Sequence, residues 1–181
     1  PSLGVIEGVE KILKANNIHP SKLKHIIHGT TLVANAIIER RGSKVALITT
    51  QGFRDIQEIG TELRYDTYDL FMEMPVPLVT RRWRYEVSER IRADGQIITA
   101  LDESSVVEVA RAIASSDVDA VAVSLLHSYQ NPAHERRIRE ILKQEAPNAI
   151  VCISSDVMPE IGEYERTSTT ICNAYVRPTF T

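Results

Sequence analysis

Two uninterrupted apolar runs, Lys44-Val-Ala-Leu-Ile-Thr-Thr50 and the stretch from Asp119 to Leu126, narrow the folds open to this chain more than any other feature. Strands covered on both faces read as continuous apolar segments, and such strands belong to parallel sheets with helices on either side. The surrounding periodicity agrees. After Asp102, a natural cap, Val106, Val109, Ala110 and Ile113 recur at helical spacing. Asn131-Pro132 opens a further helix with proline at its first position, and Ile138, Ile141 and Leu142 face inward. Ala149 to Ser154 is another strand, and a last helix is expected over Gly162 to Tyr175. Strands alternating with amphipathic helices specify an α/β fold, with parallel or mixed sheets flanked by helices.

The first sixty residues follow the same logic. Val5, Ile6, Val9, Ile12 and Leu13 form a helical stripe behind a Ser2 cap, and Asn16-Asn17 and Pro20 break it. Leu23 to His28 reads as a strand. A helix from Thr31 to Arg41 ends at Gly42, taken as a left-handed cap. Gly52 turns the chain from the 44–50 strand into a short helix, Phe53 to Ile59. This strand–helix–strand unit has crossover length and favours parallel pairing. Residues 61–80, with Tyr65, Tyr68, Pro75 and Pro77, show no period and read as a connection. Arg84 to Ile91 alternates, Asp94-Gly95 is a tight-turn signal, and Gln96 to Thr99 is extended again, which predicts a hairpin. The expected organisation is two lobes: residues 1–60, a connection at 61–80, a second α/β lobe at 81–160, and a returning helix at 161–181. A proline at the first position, a helix as the first element and an end without a closing signal read as a piece of a longer chain.

Composition excludes several classes. With 21 basic and 24 acidic residues the net charge is −3, which argues against a nucleic-acid partner. The local cluster Arg81-Arg82-Trp83-Arg84 reads as a solvated strand edge. No apolar run approaches the roughly 18 residues of a membrane span, and no signal peptide is visible. Cys152 and Cys172 lie in apolar contexts without CxxC spacing, so buried free thiols and a reducing, cytoplasmic setting are expected.

Chemistry concentrates at strand ends. His28-Gly29-Thr30-Thr31 follows the apolar pair Ile26-Ile27 and precedes a helix, so its amides, hydroxyls and imidazole suit a phosphate. A simple capping turn is the plainer alternative. Thr49-Thr50-Gln51-Gly52-Phe53-Arg54-Asp55 repeats the arrangement, and two such turns on adjacent parallel strands make one crevice. His127 and His134, with Glu135, offer metal-ligand chemistry, but no HExxH-like spacing accompanies them, and first-turn acids commonly serve capping. The run Glu163-Tyr-Glu-Arg166-Thr167-Ser168-Thr169-Thr170 is a poor helix former, so tight packing or hydroxyls presented to a ligand must select it. Neither GxxxxGK[ST] nor GxSxG occurs.

Three segments together carry a resemblance: HGTTLVANAIIERRGSKVALITTQGFRDIQEIG, LLHSYQNPAHERRIREIL and SSDVMPEIGEYERTSTTICNAYVRP. In order and spacing they resemble the N-terminal region of the hydantoinase A/5-oxoprolinase family. The resemblance implies part of an actin-like or sugar-kinase-like ATPase fold. It also implies an ATP- and Mg²⁺-dependent enzyme that hydrolyses a cyclic amide (hydantoin, N-methylhydantoin or 5-oxoproline) through a phosphorylated intermediate, beside a hydantoinase B-type partner. An acetone or acetophenone carboxylase subunit, or a docking module without catalysis of its own, are the alternatives. Family members usually begin with an Asp-x-Gly-Gly-Thr-Phe-Thr-Asp hairpin that this sequence lacks, so tight nucleotide binding and turnover by this chain alone are not expected. The residues expected to line the phosphate or substrate are His28, Gly29, Thr30 and Thr31, then Thr50, Gly52 and Arg54, then Arg166, Thr167 and Thr169.

Overall fold

The computed structural model describes residues 2–27, 29, 31–63 and 66–180. The chain divides into two units, Pro1–Leu32 and Val33–Thr181. In the first, helix α1 (Ser2–Ala15) leads through Asn17, at φ 52°, to a short 3-10 turn at Pro20–Lys22. His19 caps that turn, its Nδ1 lying 2.8 Å from Ser21 Oγ. Residues 23–27 join no sheet, so the strand expected at Leu23–His28 is not formed there; His28 lies outside the described residues. Two apolar residues in a row are too short a signal to specify a strand without a partner.

The second unit is a three-layer sandwich. Helix α2 (Leu32–Ile38) leads into β1 (Val45–Thr50), and α3 (Ile56–Ile59) follows. Next come β2 (Arg84–Val87), a hairpin of β3 (Arg90–Ile91) and β4 (Ile97–Thr99), and α4 (Glu103–Ala114). The remainder is β5 (Ala120–Ser124), α5 (Ala133–Glu145), β6 (Ile150–Ile153), α6 (Ser154–Val157) and α7 (Glu163–Phe180). The sheet order is β2-β1-β5-β6, with every pair parallel. Side chains alternate across a strand, so each strand feeds both layers. Ala46, Ile48, Val121, Val123 and Ile153 pack against Val106, Ala110 and Ile113 of α4 and Ile138, Ile141 and Leu142 of α5. Val45, Leu47, Ala120, Ala122 and Cys152 pack against Ile171, Ala174 and Tyr175 of α7, with Ile37 and Val79 alongside.

Local signals behave as their chemistry requires. Asp102 accepts the amides of Ser104 and Ser105 at 3.1 and 3.3 Å, which caps α4. Asn131 Oδ1 takes the Ala133 amide at 3.1 Å at the start of α5. Gly95, at φ 84°, makes the hairpin turn.

Several expectations need correction. Residues 61–80 do not separate two lobes, because β1 before them lies between β2 and β5 in one sheet. The alternating run from Arg84 to Ile91 is two strands: β2 pairs with β1, with Leu47 opposite Arg84, and only β3 enters the hairpin. Arg84 is not a solvated edge residue. It is buried, donates to the Val79 carbonyl from Nε at 3.0 Å and from Nη2 at 2.7 Å, and pairs with Glu58. The left-handed residue after α2 is Arg40, at φ 56°, and not Gly42. Gly42 serves a different need, since a Cβ there would overlap the ring of Tyr175. Both cysteines are free, Cys152 buried and Cys172 half-buried. Among the described residues, no helix is long and apolar enough to cross a membrane.

Candidate functional site

All four parallel strands end on one edge of the sheet, where ligands of α/β proteins bind. Here that edge is tied together by buried polar groups. Thr50, the last residue of β1, donates its hydroxyl to Glu89 Oε1 and accepts the Leu126 amide at 2.9 Å. Glu89 Oε2 lies 2.7 Å from His134 Nδ1, with both side chains buried. One hydroxyl and one carboxylate thereby join the ends of β1 and β5, the turn after β2 and the first turn of α5. Ser124, closing β5, meets Thr167 of α7 at 2.8 Å between hydroxyl oxygens.

Glu135 holds the next layer. Its carboxylate is fully buried and accepts the Leu125 amide at 2.9 Å, the Ser154 hydroxyl at 2.6 Å and the Ser155 amide at 2.9 Å. Buried carboxylates persist where such donors replace the lost water. Ser128 adds a bond to the Ser154 hydroxyl at 2.9 Å. Arg166 is equally buried, with Nη2 donating to the Leu125 carbonyl and to Glu163, both at 2.7 Å. Burial outweighs that cation at Glu163 and pushes its carboxyl above the ordinary range.

His127 is the strained residue of this edge. It takes a left-handed backbone at φ 57°, its Nδ1 is buried without a partner among the described residues, and its ring lies edge-on to Tyr129 at 6.0 Å. Strain and unmet polar groups concentrate at working sites. Burial first, then Arg166 and Arg90, hold the imidazole below its ordinary pKa, while Glu89 opposes them. A depressed histidine stays neutral in the folded chain while the unfolded chain takes up a proton, so its contribution to stability falls as pH drops below about 6.5. Denaturant midpoints at pH 7 and pH 5 are expected to differ less in His127→Asn, where asparagine tolerates the same backbone. An unchanged difference would remove His127 from this account.

The expected site residues fall into three groups. His28 and Thr30 lie outside the described residues, and Gly29 and Thr31 are exposed in the first unit. Thr50, Gly52 and Arg54 reach the strand-end edge, where Thr50 bonds Glu89, the Gly52 amide bonds Glu86 at 2.8 Å, and Arg54 uses Nε on the Arg84 carbonyl at 3.0 Å. Arg166 and Thr167 are buried supports, and Thr169 is exposed. The hydroxyl run of α7 is used in packing, as the Thr170 hydroxyl donates to the Arg166 carbonyl at 2.7 Å. Glu135 is not a capping acid, since it reaches outward from α5 to β5 and α6. Glu89 escaped sequence reasoning because its partners come from β1 and α5; only its position directly after a strand signalled it.

Residues 1–146 match the family described as the hydantoinase/oxoprolinase N-terminal region. The chain belongs to this family. Among its hydantoinase/oxoprolinase relatives, an uncharacterized protein of Methanocaldococcus jannaschii is 46% identical over 98% of this chain and 26% of its own length. The crystal structure of ATP-dependent caprolactamase from Pseudomonas jessenii superposes at a TM-score of 0.87, with 34% identity over 99% of this chain and 27% of that one. A nucleotide-free structure of acetone carboxylase superposes at 0.74, with 32% identity over 81% and 22%. The chain therefore spans about a quarter of the relatives it matches.

The hydantoinase/oxoprolinase resemblance implies a nucleotide and Mg²⁺. Of the described strand-end groups, those that fit a phosphate are donors of Arg90, of His127 and of the Arg54 guanidinium beyond its Nε. For a metal, no group of three or more His, Cys, Asp or Glu side chains converges among the described residues. His134 Nδ1 is bonded to Glu89, and the Glu135 carboxylate is taken up by the Leu125 and Ser155 amides and the Ser154 hydroxyl.

Proposed function

We propose that this chain is the N-terminal part of an ATP-dependent enzyme that opens a cyclic amide through a phosphorylated intermediate. The likeness to caprolactamase along 99% of the chain carries this reading. An amide carbonyl is a poor electrophile, and transfer of a phosphoryl group to its oxygen makes the carbon open to water. Such transfer demands positioning and charge stabilisation. In this reading His28, Gly29, Thr30 and Thr31 line the phosphate, as a turn before a helix does. Thr50, Glu89, Glu135 and Arg166 hold the strand ends of the second unit rigid, as rigid elements must for a precise site. A hydantoinase B-type subunit or domain is the partner, and the exposed Tyr68, Leu70 and Phe71 give it an apolar surface. A cytoplasmic location accords with the two free thiols.

The test is an assay of the full-length protein, with its partner, against caprolactam, hydantoin, N-methylhydantoin and 5-oxoproline. Ring opening matched by ADP release is expected with one of them, and His28→Ala and Thr30→Ala are expected to abolish both. Ring opening that needs no ATP, or ATP use only with acetone and bicarbonate, would overturn the reading.

A further inference from the structure

Around the ends of β2, β1 and β5, the carboxylates are already engaged by other donors. Glu86 takes the Gly52 amide, Glu89 is shared by Thr50 and His134, and Glu163 is bound by Arg166. Arg90 has no carboxylate or carbonyl partner among the described residues, although it is only half-exposed. Its guanidinium instead lies 5.3 Å over the ring of Phe53, in the turn after β1. Arg166 lies 5.3 Å over Tyr129, with its Nε buried and unpaired. His127 meets the same Tyr129, and its Nδ1 is also buried and unpaired among the described residues.

These groups belong together by topology. β1 lies between β2 and β5, with Thr50 opposite Val87 and Thr49 opposite Ser124. Phe53, Arg90 at the start of β3, and His127 therefore follow three adjacent strand ends. Buried polar nitrogens without partners are costly, and what this group lacks is an acceptor.

We infer that Arg90 and His127 together hold an oxyanion, a phosphoryl or carboxylate group, at the carboxyl edge of the sheet. Arg90 supplies a planar fork whose orientation is fixed by the Phe53 ring, the geometry that grips two oxygens of one anion. His127 supplies a neutral N–H, or a charged one once the anion is present. Its left-handed backbone and the Tyr129 edge set the direction of the ring. Arg166 stands behind as a fixed positive charge and positions rather than contacts. The groups that face His127 are Arg90, Arg166, Glu89 and Tyr129, and an anion beside the two arginines reverses the balance that keeps the imidazole neutral. The assignment rests on the geometry of this chain and not on which ring is opened.

The test uses the 181-residue chain labelled at its five histidines, with His127→Asn identifying the His127 signal. Inorganic phosphate at constant ionic strength is expected to shift the His127 imidazole saturably and raise its pKa, while the His134 signal stays in place. Arg90→Gln is expected to weaken that affinity by on the order of tenfold, and Arg90→Lys, which keeps charge but loses the fork, by less. Acetate separates the sources: saturation by phosphate alone assigns a phosphoryl ligand, and saturation by acetate as well assigns carboxylates too. If His127 does not respond to either anion while His134 reports a folded chain, or if Arg90→Gln binds as tightly as the parent, the assignment is wrong.

Discussion

Glu135→Ala is expected to lower the free energy of unfolding by about 3–5 kcal/mol, the loss that follows when several buried donors lose their shared acceptor. Three donors converge on this fully buried carboxylate, from β5 and from both the backbone and side chain of α6. Alanine leaves the Leu125 and Ser155 amides without their acceptor, while the Ser154 hydroxyl keeps Ser128, and each unsatisfied buried group is unfavourable by about 1–3 kcal/mol. At roughly 2–4 °C per kcal/mol for a chain of this size, the melting temperature falls by on the order of 10 °C. Glu135→Gln is expected to lose less, because one amide oxygen still accepts while its NH₂ opposes a donor. Urea midpoints measured at unchanged m-value check both. Two variants within about half a kcal/mol of the parent, the range of ordinary surface changes, would remove Glu135 as the hub of this edge.

The second large effect is expected at Gly42. An added methyl group there overlaps the ring of Tyr175, which is only 6% exposed and packed among Ile171 and Ala174. The backbone cannot yield easily, because the Ser43 amide donates to the Tyr175 carbonyl at 2.9 Å. Overpacking of this kind is unfavourable by about 1–3 kcal/mol, and Gly42→Ala belongs at the upper end. A double-mutant cycle with Tyr175→Leu distinguishes overlap from a backbone effect. If overlap is the cause, the tyrosine change is less harmful in the alanine background than in the parent. Strict additivity would instead assign the loss to backbone conformation.

The parts of the fold that the sequence discloses are those whose signal is local. β1, β5 and β6 are continuous apolar segments, α4 and α5 carry apolar residues at helical spacing, and Asp102 caps α4, whereas the cap of α5 is Pro132, with Asn131 one residue before it bonding the Ala133 amide. β2 was hidden because it shares one alternating run with β3, and alternation does not say which partner each half takes. Arg84 was misread for a related reason, since a carbonyl five residues earlier and Glu58 make a cation tolerable inside. Gly42 marks the end of α2 in the sequence, but what requires it there is Tyr175, which lies far along the chain. The strand-end edge was legible as a location. Its occupancy was not, because whether Thr50 or Arg54 presents a free donor depends on Glu89 and on the Arg84 carbonyl, which arrive from other strands.

The position of β1 has a consequence for how the protein is made. Its six residues are all buried, yet its neighbours on either side are 84–87 and 120–124. Ribosomes add about 5–20 residues per second, so seconds separate the emergence of Val45–Thr50 from that of its second neighbour. Throughout that interval a strand buried along its whole length has an open side. A nascent chain in this state is a natural client for holding chaperones, and termination before residue 120 leaves a product without a core to close.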